Sequence, residues 1–166
     1  GSWDTQSYRD AAEAQGFAQA QLDYYHRLEE EQPTFIIVRD ASDLEAVRQS
    51  WESTELADKM IGLVLLMEGA DPIGEPAEAE YWYEHGVRII GPAWSGTRYS
   101  GGTGKPGPLT DIGHELLEGM SDLNIILDLS HISEEAFYQA LDHFDGTTIA
   151  SHSNPRQIAE PNSQDR

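Results

Sequence analysis

Short apolar runs alternating with helix signals constrain this chain more than any other feature. The runs fall at residues 35–38, 61–67, 87–90, 124–129 and 147–150, and each has the length of a strand rather than of a core helix. Residues 61–67 read Ile-Gly-Leu-Val-Leu-Leu-Met, which suits one continuous strand covered on both faces. A helix rich in Ala and Glu is expected over residues 2–31, stopped by Pro33, and Ser42-Asp43-Leu44-Glu45 matches a capping box that opens a helix reaching residue 53. Further helices are expected at 77–85, ended by Gly86, at 110–121 and at 133–144. Strands alternating with helices imply an α/β fold with a parallel sheet, either doubly wound or closed into a barrel. Residues 91–108 are too rich in Gly and Pro for regular structure and read as a long loop over a pocket.

Composition removes several classes of function. Ten Lys and Arg against 30 Asp and Glu give a formal charge of −20, which repels a phosphate backbone or an anionic lipid surface, so nucleic acid is not a default partner. The chain has no cysteine. It therefore builds no disulfide framework, and any transition metal must rest on His and carboxylate ligands. No apolar run approaches the roughly 18 residues of a spanning helix, and no secretory pattern opens the sequence. The expectation is a single segment, residues 1–166, in a cytoplasmic setting.

In parallel β/α architectures functional side chains gather just past the carboxyl ends of the strands. Three strands of this sequence end in Glu68-Gly69, Ser130-His131 and Ser151-His152-Ser153. They deliver Glu68, His131 and His152 to one rim, and a His/His/carboxylate set is a standard catalytic metal combination. Singly, each residue has an ordinary structural reading; the coincidence of three is what raises metal binding to equal standing. His26, His85, His114 and His143 sit on helices and read as solvated or capping residues. Asp128 either orients an imidazole from behind or accepts core backbone donors. Residues 102–107 match a dinucleotide fingerprint by letter, yet no strand directly precedes them and Pro106 and Pro108 forbid the helix that would hold a pyrophosphate. Within the loop, Trp94, Arg98 and Tyr99 offer stacking and anion-binding groups.

Leu66-Met67-Glu68-Gly69, Tyr83-Glu84-His85-Gly86-Val87-Arg88, Leu109-Thr110-Asp111-Ile112-Gly113, Ile126-Leu127-Asp128-Leu129-Ser130-His131 and Ala150-Ser151-His152-Ser153-Asn154 resemble, in order, successive motifs of the membrane (renal) dipeptidase family, peptidase family M19. The resemblance covers residues 33–154. It implies a (β/α)8 TIM-type barrel holding two zinc ions and hydrolysing dipeptides or related small amides. Glu68 then resembles the carboxylate bridging both zincs, and His131 and His152 the imidazoles of the second zinc.

Departures from the family pattern qualify that implication. The first zinc also takes a His-x-Asp pair from the opening strand, and the expectation is that this chain contains no such pair. The late catalytic Asp would lie beyond Arg166, so no catalytic residue is expected here beyond the metal ligands. Where the family often has a substrate-contacting His, this chain has Gly91-Pro92-Ala93-Trp94, which makes Trp94 a candidate substrate contact. Arg166 is the candidate partner of a substrate carboxylate, with Arg156 a weaker one. A complete barrel needs about 250 residues, so the chain is expected to be an internal part of a longer metallo-dipeptidase, inactive alone. It should leave an open sheet edge or apolar face that associates with the rest of the barrel or with other copies. The alternative is a noncatalytic barrel homologue or fragment acting as a binding module. An amidohydrolase with a carbamylated Lys fits less well, because Lys59 and Lys105 are poorly placed for it.

Overall fold

The computed structural model describes residues 8–153. Helix α1 (Ala11–Glu31) starts where the Asp10 side chain accepts a hydrogen bond from Glu13 N, and it buries Ala14 and Leu22. The expected start at Ser2 lies outside the described residues, and residues 8–10 are not helical. Strand β1 (Phe35–Ile37) follows, then helix α2 (Ala41–Ser50). The capping box exists but is shifted from its expected place. Asp40 caps α2 by accepting from Ser42 N and Asp43 N, and the Asp43 carboxylate returns to Asp40 N. An Asp-x-x-Asp pair supplies the same reciprocal bonds as Ser-x-x-Glu, and this one stands closer to the end of β1.

The run at 61–67 is divided rather than continuous. Strand β2 (Ile61–Leu63) pairs in parallel with β1, and strand β3 (Leu65–Glu68) pairs in parallel with β4 (Val87–Gly91). Val64 stands between them, 48% exposed, where one segment leaves its first neighbour and takes up its second. A 3₁₀ turn (Pro76–Glu78) and helix α3 (Ala79–Glu84) connect β3 to β4 along the chain. Strand β7 (Ile126–Asp128) pairs with β4, and β8 (Thr148–Ile149) with β7, again in parallel. Helix α4 (Asp111–Asp122), capped by Thr110, precedes β7, and α5 (Glu134–His143) links β7 to β8. Every pairing among the five expected strand regions is parallel, and the order β3-β4-β7-β8 is that of successive β/α units.

The Gly- and Pro-rich stretch contains regular structure, contrary to expectation. Strands β5 (Ser100–Gly102) and β6 (Lys105–Leu109) form an antiparallel hairpin. Pro106 and Pro108 are exposed, as Pro must be in a strand with a free edge. A Cβ on Gly101 would stand 2.3 Å from the Gly107 backbone, so the ribbon needs glycine at this close approach. The hairpin is fastened to α5: Leu109 N donates to Gln139 Oε1 at 2.8 Å, Ser133 Oγ donates to Gly107 O, and Ser133 N donates to Gly101 O at 3.1 Å.

The core lies between the sheet and its helices, around Trp82, Ile90, Leu116, Leu117, Met120 and Leu127, each at most 1% exposed. On β3 burial alternates: Leu65 and Met67 point into this core, whereas Leu66 and Glu68 are exposed on the opposite face. Val64 and Leu66 are 48% and 37% exposed.

Packing at α4 generates a paired prediction. A Cβ on Gly113 would meet Tyr99 O at 2.1 Å, whereas one on Gly119 would meet only Pro76 O at 3.9 Å. In the full-length protein Gly113→Ala is expected to cost about 1–3 kcal/mol. Gly119→Ala should be neutral or add up to about 1 kcal/mol through helix propensity. Chemical denaturation of both variants checks this.

An ion pair behind β1 generates a second prediction. Arg39 Nη2 lies 2.7 Å from Glu29 Oε2, and Ile37 N donates to Glu29 Oε1 at 2.6 Å. The Arg39 guanidinium holds the Glu29 carboxyl below its ordinary value; partial burial opposes this and the Ile37 N–H adds to it. A depressed carboxylate stabilises the fold above its unfolded pKa of about 4.3, and that contribution is lost as pH falls through the folded value. Glu29→Gln should therefore flatten the acid-side loss of stability below about pH 4.5, as read from thermal melts across that range.

Candidate metal centre

Glu68 is the last residue of β3, and Gly69 at φ 88° turns the chain immediately after it. His131 lies in the loop after β7 with φ 63°, a left-handed conformation that a non-glycine residue adopts at some cost. His152 follows β8 by three positions. The parallel register of β3, β4, β7 and β8 thus brings residues 84 apart in sequence to hydrogen-bonding distance.

Three ligand atoms converge. His152 Nε2 is 2.8 Å from His131 Nε2 and 2.9 Å from Glu68 Oε1, and His131 Nε2 is 3.1 Å from the same Glu68 oxygen. The His131 side chain is 15% exposed, while those of Glu68 and His152 are 43% and 45% exposed. The group is therefore open to solvent on one side. A carboxylate oxygen and two imidazole nitrogens packed this closely form a cluster of lone pairs that a cation satisfies. A tetrahedral ion at about 2.0–2.1 Å from each ligand would hold them roughly 3.3 Å apart, so the side chains need open by only a few tenths of an ångström. Together the three residues could hold a metal ion.

The distal nitrogens are also engaged. Ser151 Oγ lies 2.7 Å from His152 Nδ1 and donates to Asp128 Oδ2 at 2.5 Å. Asp128, 1% exposed, accepts Ser130 N at 3.0 Å and Ser151 N at 3.1 Å on Oδ1. Burial alone would raise its pKa; the donors from Ser151 and Ser130 outweigh burial and hold it below the ordinary carboxylate value. Both readings of Asp128 thus combine: it accepts backbone donors, and it reaches the imidazole through Ser151. On the other imidazole, Thr103 Oγ1 at the hairpin tip lies 3.1 Å from His131 Nδ1 and 3.3 Å from His131 O. Sequence reasoning missed Thr103 and Ser151. Ser151 stood visible beside His152, but nothing local marks a threonine 28 positions before His131.

The loop candidates divide. Trp94 is 56% exposed, with its ring centroid 5.9 Å from that of His131. It stands at the edge of the cluster. Arg98 and Tyr99 do not: the guanidinium donates to the carbonyls of Ile73 and Gly74 at 2.8 and 2.6 Å, and the fully buried Tyr99 hydroxyl donates to Ile73 O at 2.6 Å. Both bind the backbone after β3 in place of a ligand. Arg156 and Arg166 lie outside the described residues. His85 and His26 stack with centroids 6.2 Å apart, and His114 meets His143 edge-on at 4.7 Å. The His-x-Asp spacing occurs in the sequence at His143-Phe144-Asp145, at the end of α5, where His143 lies 3.4 Å from Glu118 and away from the cluster.

Parallel β/α units here bring to one rim three side chains that could hold a metal ion, the arrangement of a strand-end site of the barrel type. A family model described as membrane dipeptidase (peptidase family M19) matches residues 3–164. The chain belongs to this family of metal-dependent dipeptidases. Among curated relatives, it is 34% identical over 128 residues to an uncharacterized protein in the pqqA 5′ region of Klebsiella pneumoniae, covering 71% of this chain. It is 29% identical over 148 residues to an uncharacterized protein in the PQQ-III 3′ region of Acinetobacter calcoaceticus, covering 83% of this chain. The chain spans 44% of the length of each.

Among solved structures, a metallopeptidase from Rhodobacter sphaeroides, liganded with a phosphinate mimic of the dipeptide L-Ala-D-Ala, aligns with TM-score 0.75 at 28% identity. The alignment covers 87% of this chain and 42% of that one. A probable dipeptidase from Pseudomonas aeruginosa aligns with TM-score 0.78 at 22% identity, over 89% of this chain and 38% of its own, and shares the fold. The α/β architecture is thus part of a TIM-type barrel, unclosed within this chain. Among the described residues no helix is long and apolar enough to cross a membrane.

Proposed function

We propose that the protein containing this chain is a zinc-dependent dipeptidase, acting on dipeptides or related small amides. The observation that carries this reading is the convergence of Glu68, His131 and His152, with ligand atoms 2.8 to 3.1 Å apart, in a member of a metallo-dipeptidase family. Two zinc ions are proposed for the complete site. Glu68 would hold both, His131 and His152 would hold the second, and the remaining ligands would come from outside this chain. Bound zinc supplies Lewis acidity toward a scissile carbonyl and toward water. The chain's own residues fix the geometry: the imidazoles are anchored from behind by Ser151 and Thr103, and the carboxylate stands at a strand end. Trp94 forms an apolar wall that limits the substrate side chain and excludes water from one side. Arg166 is the proposed partner of the substrate carboxylate. The phosphinate dipeptide mimic bound by the Rhodobacter sphaeroides relative supports a small dipeptide as substrate. The open apolar face through Val64 and Leu66 is proposed to be covered by the rest of the barrel.

In the full-length protein, His131→Ala or His152→Ala should remove the second zinc and lower dipeptide hydrolysis by at least about a hundredfold. His85→Ala and His143→Ala should leave both within about twofold, because neither imidazole reaches the cluster. Zinc content and hydrolysis that survive His152→Ala would sink the proposal. Hydrolysis absent from the intact protein while metal stays bound would favour a binding module instead.

Trp94→Ala is expected to raise KM for dipeptides with bulky apolar side chains by about tenfold, with little change for Gly-Gly, since one lost apolar contact surface is worth about 1–3 kcal/mol. Steady-state kinetics on the two substrates measures the difference.

A further inference from the structure

We propose that Asp128 and Ser151 form a positioning relay that decides which nitrogen of His152 carries the proton, and so keeps Nε2 bare as a ligand atom. The metal-binding consequence rests on the reading above; the tautomer itself does not.

The argument is one of donor counting. A serine hydroxyl has a single hydrogen, and an ionised carboxylate accepts only. Ser151 Oγ lies 2.5 Å from Asp128 Oδ2 and 2.7 Å from His152 Nδ1. The charged oxygen takes the hydroxyl hydrogen, and a charge-assisted bond of that length is the stronger of the two. Toward the imidazole the hydroxyl then presents only a lone pair, so Nδ1 must carry N–H. A neutral imidazole with a proton on Nδ1 has none on Nε2, the atom that faces Glu68 and His131. Asp128 cannot turn away from this task, because Oδ1 is held by the backbone N–H groups of Ser130 and Ser151.

That asymmetry between the two carboxylate oxygens permits a reversal. In Asp128→Asn the two backbone donors select the amide oxygen at the Oδ1 position, which leaves the NH2 group facing Ser151 Oγ. The amide then donates to the hydroxyl, the hydroxyl donates to Nδ1, and the imidazole proton moves to Nε2. The shape of the site is unchanged while its acceptor is lost. Asp128 touches neither the imidazole nor the ligand cluster, so a merely structural role would leave the tautomer alone.

The test uses the full-length protein. Nitrogen-15 NMR of the metal-free form should show His152 protonated at Nδ1 in wild type and in Ser151→Thr, and at Nε2 in Asp128→Asn. Zinc affinity by chelator competition should fall by about 10–100-fold in Asp128→Asn. That loss should vanish when Asp128→Asn is introduced into Ser151→Ala, because the relay is already cut. A folded Asp128→Asn protein with the wild-type tautomer would overturn the proposal. If Asp128→Asn does not fold, Ser151→Ala decides the matter: an unchanged single Nδ1–H tautomer there overturns the relay, and a mixture of tautomers supports it. Should wild type bind no zinc at these histidines, the dipeptidase reading fails while the tautomer comparison still judges the relay.

Discussion

The buried carboxylate of Asp128 is the constraint on which the geometry of the cluster depends. It ends β7, and its acceptors take hydrogen bonds from the loop after its own strand, through Ser130 N, and from the loop after β8, through Ser151 N and Oγ. The two loops that carry His131 and His152 are thereby fixed to one side chain, in a region where an unpaired carboxylate would be strongly disfavoured. The parallel register of β7 and β8 sets the coarse spacing, and this carboxylate sets the fine one. Glu68, on β3, reaches the same point only because β4 lies between β3 and β7 with its own register fixed on both sides.

Fold class and the convergence of Glu68, His131 and His152 were legible in the sequence because both follow from one regularity. Apolar runs of strand length identify the strands, and in parallel sheets the residue after such a run lies at the functional rim. Glu68, His131 and His152 could therefore be placed together without knowledge of the strand order. The break at Val64 was not legible, since the apolar pattern of 61–67 is continuous and only the change of pairing partner divides it. The β5–β6 hairpin was hidden for the opposite reason. Gly and Pro stop central strands, but a two-stranded ribbon with a free edge tolerates Pro106 and Pro108 and requires Gly101.

The polar groups of the long loop were misassigned because composition gives a side chain's chemistry and not its direction. Arg98 and Tyr99 spend their donors on the carbonyls of Ile73 and Gly74, which only tertiary structure brings near. Thr103 reaches His131 because the hairpin folds back onto the loop after β7, where Gly102 bridges Ile132. Of the three loop candidates only Trp94 stands beside the cluster, its ring centroid 5.9 Å from that of His131.

The pairing order has a consequence for how the chain assembles. Each strand of the four-stranded sheet pairs with the next one of that sheet along the chain, so the sheet can grow in the order of synthesis. The ligand cluster is different, because it joins the first and last strands of the four-stranded sheet. It exists only once β8 has docked. On the proposed reading, an ion held there would act on the folding equilibrium as a non-covalent staple across the whole sheet, favouring the docked state more as its free concentration rises. The proposed metal would then lengthen the lifetime of the assembled rim as well as supply its chemistry.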